Sequence, residues 1–109
     1  MSYDEGLAET VRNDIGPLPG LSERRMFGAL CFLLDGNMIC GLRAEGGLYR
    51  VGKQAQHEVM TLAGVAPAIM GERRMGGYVE AAPEAMADDV IRAQLTERAL
   101  TFVRSLPPK

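Results

Sequence analysis

Six consecutive apolar residues, Ala29-Leu30-Cys31-Phe32-Leu33-Leu34, run directly into Asp35-Gly36. No other feature constrains the fold as much. Asp-Gly favours a type I′ turn, which needs positive φ at both central residues and sends the chain back antiparallel to itself. A strand apolar on both faces is expected at the centre of a sheet, covered on both sides. Residues 37–43 return from the turn, and Glu45-Gly46-Gly47 marks a second tight turn before a strand at Leu48–Val51. Residues 22–34 read as two extended segments broken at Gly28, so three or four antiparallel strands form a meander.

Helices bracket this sheet. Ser2-x-x-Glu5 has the form of a capping box. Leu7, Val11, Ile15 and Leu18 then recur at near-helical spacing until Gly16-Pro17 stops the helix. A short helix is predicted over 53–63, with Ala55, Val59, Leu62 and Ala63 on one side, and strands over 67–70 and 74–80. The last helical region opens at Pro83 or Glu84, carries Ile91, Leu95, Ala99, Phe102, Val103 and Leu106 as a core stripe, and ends at Pro107-Pro108. The expected order is α-β-β-β-β-α-β-β-α. The fold class is α+β, an antiparallel sheet of about five to six strands flanked by helices. At 109 residues, without linkers, the chain reads as one domain over 1–109.

Composition narrows the function classes. Twelve basic and fourteen acidic residues leave a net charge of −2, whereas a dedicated nucleic-acid domain carries a strongly basic balance. Direct DNA binding is therefore not expected. No apolar run approaches the roughly 20 residues needed to span a bilayer, and the acidic N-terminus is unlike a signal peptide. A cytoplasmic location and no membrane partner are the expectation. The first helix is acidic and residues 21–53 are mildly basic, an asymmetry that can orient a protein partner.

Much of the vocabulary of catalysis is missing. The one histidine, His57, sits within the predicted second helix and reads as an exposed helical residue. No phosphate-binding glycine loop, Gly-x-Ser-x-Gly elbow or metal-ligand spacing occurs, so neither an enzyme nor a cofactor is expected. Pairing about Asp35-Gly36 would set Cys31 directly opposite Cys40 on one face. That geometry leaves a redox role open beside the plainer reading of two buried apolar side chains. Glu23-Arg24-Arg25-Met26 is echoed by Glu72-Arg73-Arg74-Met75. If these strands were neighbours, their guanidiniums would cluster into a surface for carboxylate or phosphate. Otherwise they are solvated charges paired with Glu23 and Glu72. Met26, Met38, Met70 and Met75 all fall on predicted strands, as core filler or as adaptable contact area.

The segment Arg24-Arg25-Met26-Phe27-Gly28-Ala29-Leu30-Cys31-Phe32 resembles the TfoX N-terminal domain family, known from bacterial TfoX (Sxy) competence regulators. The likeness extends through Tyr3–Leu7, Asp35-Gly36-Asn37-Met38, Arg50-Val51-Gly52, Met75-Gly76-Gly77-Tyr78-Val79 and the closing 99–109. Arg74 and Leu95 depart from it, where the family often has proline and tryptophan. The resemblance implies an α+β fold and a regulatory rather than catalytic role, with no catalytic residues to transfer. It also implies a second, helical domain in full-length regulators, which is not expected here.

The resulting expectation is a stand-alone regulatory domain acting through protein–protein contacts, in the regulation of transcription or competence, with a homodimer as one such contact. Its candidate partner-binding residues are Arg24, Arg25, Met26, Arg73, Arg74 and Met75. The alternatives are a small-molecule- or redox-responsive domain using Cys31 and Cys40, and a small enzyme on a pocket of Arg24 or Arg25 with Arg50 and Tyr78.

Overall fold

The computed structural model describes residues 3–26 and 28–109. Helix α1 (Glu5–Ile15) precedes strands β1 (Leu21–Met26), β2 (Ala29–Leu34), β3 (Asn37–Arg43) and β4 (Gly46–Arg50). Helix α2 (Lys53–Val59), strands β5 (Val65–Met70) and β6 (Arg73–Ala81), and helices α3 (Pro83–Met86) and α4 (Asp89–Arg104) follow. The α+β expectation holds, with one antiparallel sheet of six strands in the order β1-β2-β3-β4-β6-β5.

Local chemistry accounts for most boundaries. Ser2 of the expected capping box lies outside the described residues. The cap of α1 is Asp4, whose carboxylate accepts the N–H groups of Gly6 at 2.7 Å and Leu7 at 3.2 Å. The last helical region is divided, because Asp88 caps α4 by accepting from Val90 and Ile91 at 2.9 and 3.1 Å. Each such cap contributes roughly 0.5–2 kcal/mol. The hairpin turn has φ of 51° at Asp35 and 85° at Gly36, the left-handed pair that Asp-Gly predicts.

The expected cysteine pairing is overturned by a β-bulge. Leu33 pairs with Met38, but Phe32 pairs with Cys40, leaving Ile39 as an extra residue on β3. One inserted residue moves everything beyond it to the other face. Cys31 therefore faces Gly41, and Cys40 shares the Phe32 face. Side chains on opposite faces cannot be bridged without moving backbone. Both cysteines are free and buried.

One face of the sheet carries the core. Leu30, Phe32, Leu34, Cys40, Leu42, Tyr49, Val79 and Ala81 join Ala8, Val11 and Ile15 of α1, Val59 of α2, Met86 of α3 and Leu95, Ala99 and Val103 of α4 in a single cluster. On the opposite face, register places Ser22, Arg24, Met26, Ala29, Cys31, Leu33, Met38, Gly41 and Leu48. Cys31 and Leu33 of that face lie outside the helix-packed cluster. The expectation of a central, doubly covered strand holds for burial, since Leu30 through Leu34 are buried on both faces, and is corrected for position, since β2 is second from the edge. A side chain added at Gly41 would meet both the Met38 methyl and the Cys31 sulfur, so these groups close over the gap that the glycine leaves.

A buried ion pair ties the helices together. Arg92, 5% exposed, donates to Asp14 of α1 at 2.7 and 3.4 Å, to Asp89 at 2.8 Å and to the Met86 carbonyl at 3.0 Å. Those acceptors satisfy a guanidinium that would otherwise be costly to bury. The hydrogen bonds to Asp14, followed by those to Asp89, hold it firmly protonated against the opposing effect of burial.

Candidate functional site

The two arginine pairs are not neighbours. Arg24, Arg25 and Met26 lie on edge strand β1, and Arg73, Arg74 and Met75 open β6. Strands β2, β3 and β4 stand between, a separation of four strand spacings or about 19 Å. The six residues form two surfaces, not one cluster. On β1, Arg24 points to the open face, and Arg25 lies on the helix face with its guanidinium 5.9 Å from the Tyr3 ring centroid. Glu23 does not serve either arginine. It accepts a fork from Arg12 of α1, at 2.6 and 2.8 Å, and those hydrogen bonds hold its carboxyl below the usual range. Met26, Met38 and Met75 are half-buried rather than core residues, and His57 is exposed.

A different region is concave. At the corner where β4 passes into α2, an open cleft of about 900 Å³ is bounded by α2, β6 and the last turns of α4. Its geometry follows from three local features. The β4–β6 register sets Arg50 opposite Tyr78. The chain then turns at Val51-Gly52, whose N–H groups both donate to the Gly77 carbonyl at 2.9 and 3.0 Å. Gln56 of α2 clips onto the same stretch, donating to the Tyr78 carbonyl at 3.3 Å and accepting from the Gly77 N–H at 3.2 Å. Gly52 has φ of 85°, and a Cβ there would stand 2.5 Å from Cδ1 of Phe102. Only glycine both adopts that backbone and lets Phe102 close on it.

Within this corner the Arg50 guanidinium lies 5.7 Å from the Tyr78 ring centroid and 5.4 Å from that of Phe102. Both distances are within the range of cation–π attraction. Arg98 is engaged by Glu58 across the cleft. Among the described residues, neither Arg50 nor Lys53 forms an ion pair, so the cleft holds two uncompensated positive charges beside two aromatic rings.

Of the pocket considered from sequence, Arg50 and Tyr78 do meet, whereas Arg24 and Arg25 are far away on β1. Lys53, Arg98 and Phe102 were not legible as site residues, and Phe102 reads in sequence as core. The available signal was the glycines, Gly52 and Gly76-Gly77, which permit close backbone approach. Three segments that carry the family resemblance, Arg50-Val51-Gly52, Met75–Val79 and 99–109, contribute to this one cleft.

The cysteines offer little reactive chemistry. Burial pushes both thiols above the ordinary range, Cys40 the further of the two. Among the described residues no group of three or more His, Cys, Asp or Glu could hold a metal ion, and no helix is long and apolar enough to cross a membrane. A family model described as the TfoX N-terminal domain matches residues 13–103. No curated protein and no solved structure matches the chain.

Proposed function

The chain belongs to the TfoX N-terminal domain family, and on that premise we propose that this competence-regulator-like domain works through protein–protein contacts rather than catalysis, in the control of transcription or competence. The observation that carries the reading is the sheet face outside the helix-packed core. It carries exposed Arg24 and half-buried Met26 on edge strand β1, beside half-buried Ala29 on β2 and Met38 on β3. An edge strand offers unpaired backbone groups, and arginine beside methionine supplies charge with adaptable apolar area. A partner with Asp or Glu beside an extended segment fits that surface, as does a second copy of the chain pairing β1 to β1. The second arginine surface, Arg73, Arg74 and Met75, is the other candidate. Cations divided between two ends of the sheet suit protein contacts better than a run of phosphates.

The test is capture from native lysate and sedimentation of the purified chain, with Arg24→Glu and Arg74→Glu measured separately after each melt is shown unchanged. Loss of a specific partner or of self-association in one variant supports the reading. Unchanged capture and oligomeric state in both would overturn it. Sub-micromolar binding to duplex DNA that fades steeply with salt would replace it with direct DNA recognition.

A further inference from the structure

We propose that the corner cleft is a ligand site for a small phosphate monoester with an apolar body, bound through Arg50 and Lys53 as the anion receptor and against Tyr78 and Phe102 as the wall. Arg50 is held in place by two aromatic rings rather than by a carboxylate, at 5.7 and 5.4 Å. Ring faces attract the cation but accept none of its N–H donors in the guanidinium plane, so its hydrogen-bonding capacity stays available. Lys53 adds an exposed ammonium at the start of α2. A side chain built onto Gly76 would stand 3.0 Å from the Lys53 Cε, so the lysine stem lies against the glycine backbone with its charge on the cleft wall.

The charge balance selects a dianion. Glu58, the one carboxylate lining the cleft, is engaged by Arg98, and the two cations left over match a phosphate monoester, which carries a charge of about −1.5 to −2 near neutral pH. A volume of about 900 Å³ exceeds what a bare phosphate occupies and lies in the size range of pockets for small organic ligands. Rigidity completes the case. The Val51 and Gly52 amides and the Gln56 side chain all lock onto Gly77 and Tyr78, so the cleft is preformed.

The test uses the intact chain, with phenyl phosphate as the probe and phenol and inorganic phosphate as its two halves. Binding is followed by calorimetry and by amide chemical shifts at Gly52, Gly76 and Tyr78. The expected result is saturable binding of phenyl phosphate, weakened roughly tenfold or more by Arg50→Met and by Lys53→Met, with phenol and inorganic phosphate each much weaker. Lys53 is exposed, so its variant remains informative if Arg50→Met fails to fold. No shift at the three amides, phenol binding as tightly as phenyl phosphate, or affinity unchanged in Lys53→Met would overturn the assignment. Inorganic phosphate binding as tightly as phenyl phosphate would also overturn it, leaving an adventitious ion only.

Discussion

Two regions of this protein set an arginine over an aromatic ring, and they differ in almost everything else. At the β1 edge, Arg25 lies 5.9 Å from the Tyr3 ring centroid, on an outermost strand whose own carboxylate, Glu23, is engaged by Arg12. At the β4–α2 corner, Arg50 lies within about 6 Å of two ring centroids, on an inner strand, beside a glycine-locked turn. The edge is exposed and its arginines face solvent. The corner is concave and its backbone is fixed. The corner thus offers a preformed concave surface and the edge an exposed strand, so the two suit different kinds of contact.

Arg92 connects the two regions, since α1 carries the Arg12 clamp on β1 and α4 carries Phe102. Replacing Arg92 by alanine strands Asp14 in a largely buried position and should cost about 3–5 kcal/mol. Amide exchange should then rise in β1 and in the 50–53 corner together. Exchange rising in only one would show that the two regions are stabilised independently.

Gly52→Ala acts on the corner alone. It combines a left-handed backbone with overlap on Phe102, and a loss of about 3 kcal/mol is expected in denaturant melts. A loss below about 1 kcal/mol would mean that the corner yields easily and that its preformed geometry is overstated.

Between the two regions, Cys40 and Tyr49 pair across β3 and β4, and burial raises both acids above their ordinary values. A group whose folded value is raised contributes stability that is intact below its unfolded value and is lost as pH climbs toward the folded one. Stability should therefore be flat through neutral pH and fall above about pH 9, where an unfolded thiol ionises. Cys40→Ala should shallow that fall. An unchanged alkaline slope in this variant would assign the effect to Tyr49 and Cys31, whose acids burial also raises.

The smallest effect belongs to the edge. Arg24→Ala should change stability by less than about 0.5 kcal/mol, because Arg24 is exposed and has no ion pair among the described residues. A larger loss would show that the β1 edge is structural and remove it as a surface kept for partners.

Much of the architecture was legible because its signals are local. Asp35-Gly36 fixes a turn through its own backbone preferences, and the spacing of Val11 and Ile15, or of Leu95 and Ala99, sets a helix face over a few residues. The site was less legible. Arg50 and Tyr78 could be named, but Phe102 lies about fifty positions further along and carries the spacing of a core residue. Glu23 beside Arg24 and Arg25 suggested a local pair, whereas its partner is Arg12 on another element.

The sequence by itself determined the α+β class, the hairpin, the helices and the absence of a familiar catalytic motif. Each follows from φ/ψ preference, periodicity or residue inventory, which act within a few residues. Only the tertiary structure decided that Ile39 bulges and turns Cys40 away from Cys31, that β6 inserts between β4 and β5, and that Arg50, Lys53, Tyr78 and Phe102 share one cleft. Those outcomes depend on which strands pair and in what register. The choice is settled by burying a whole face at once, and no short stretch of chain carries that information.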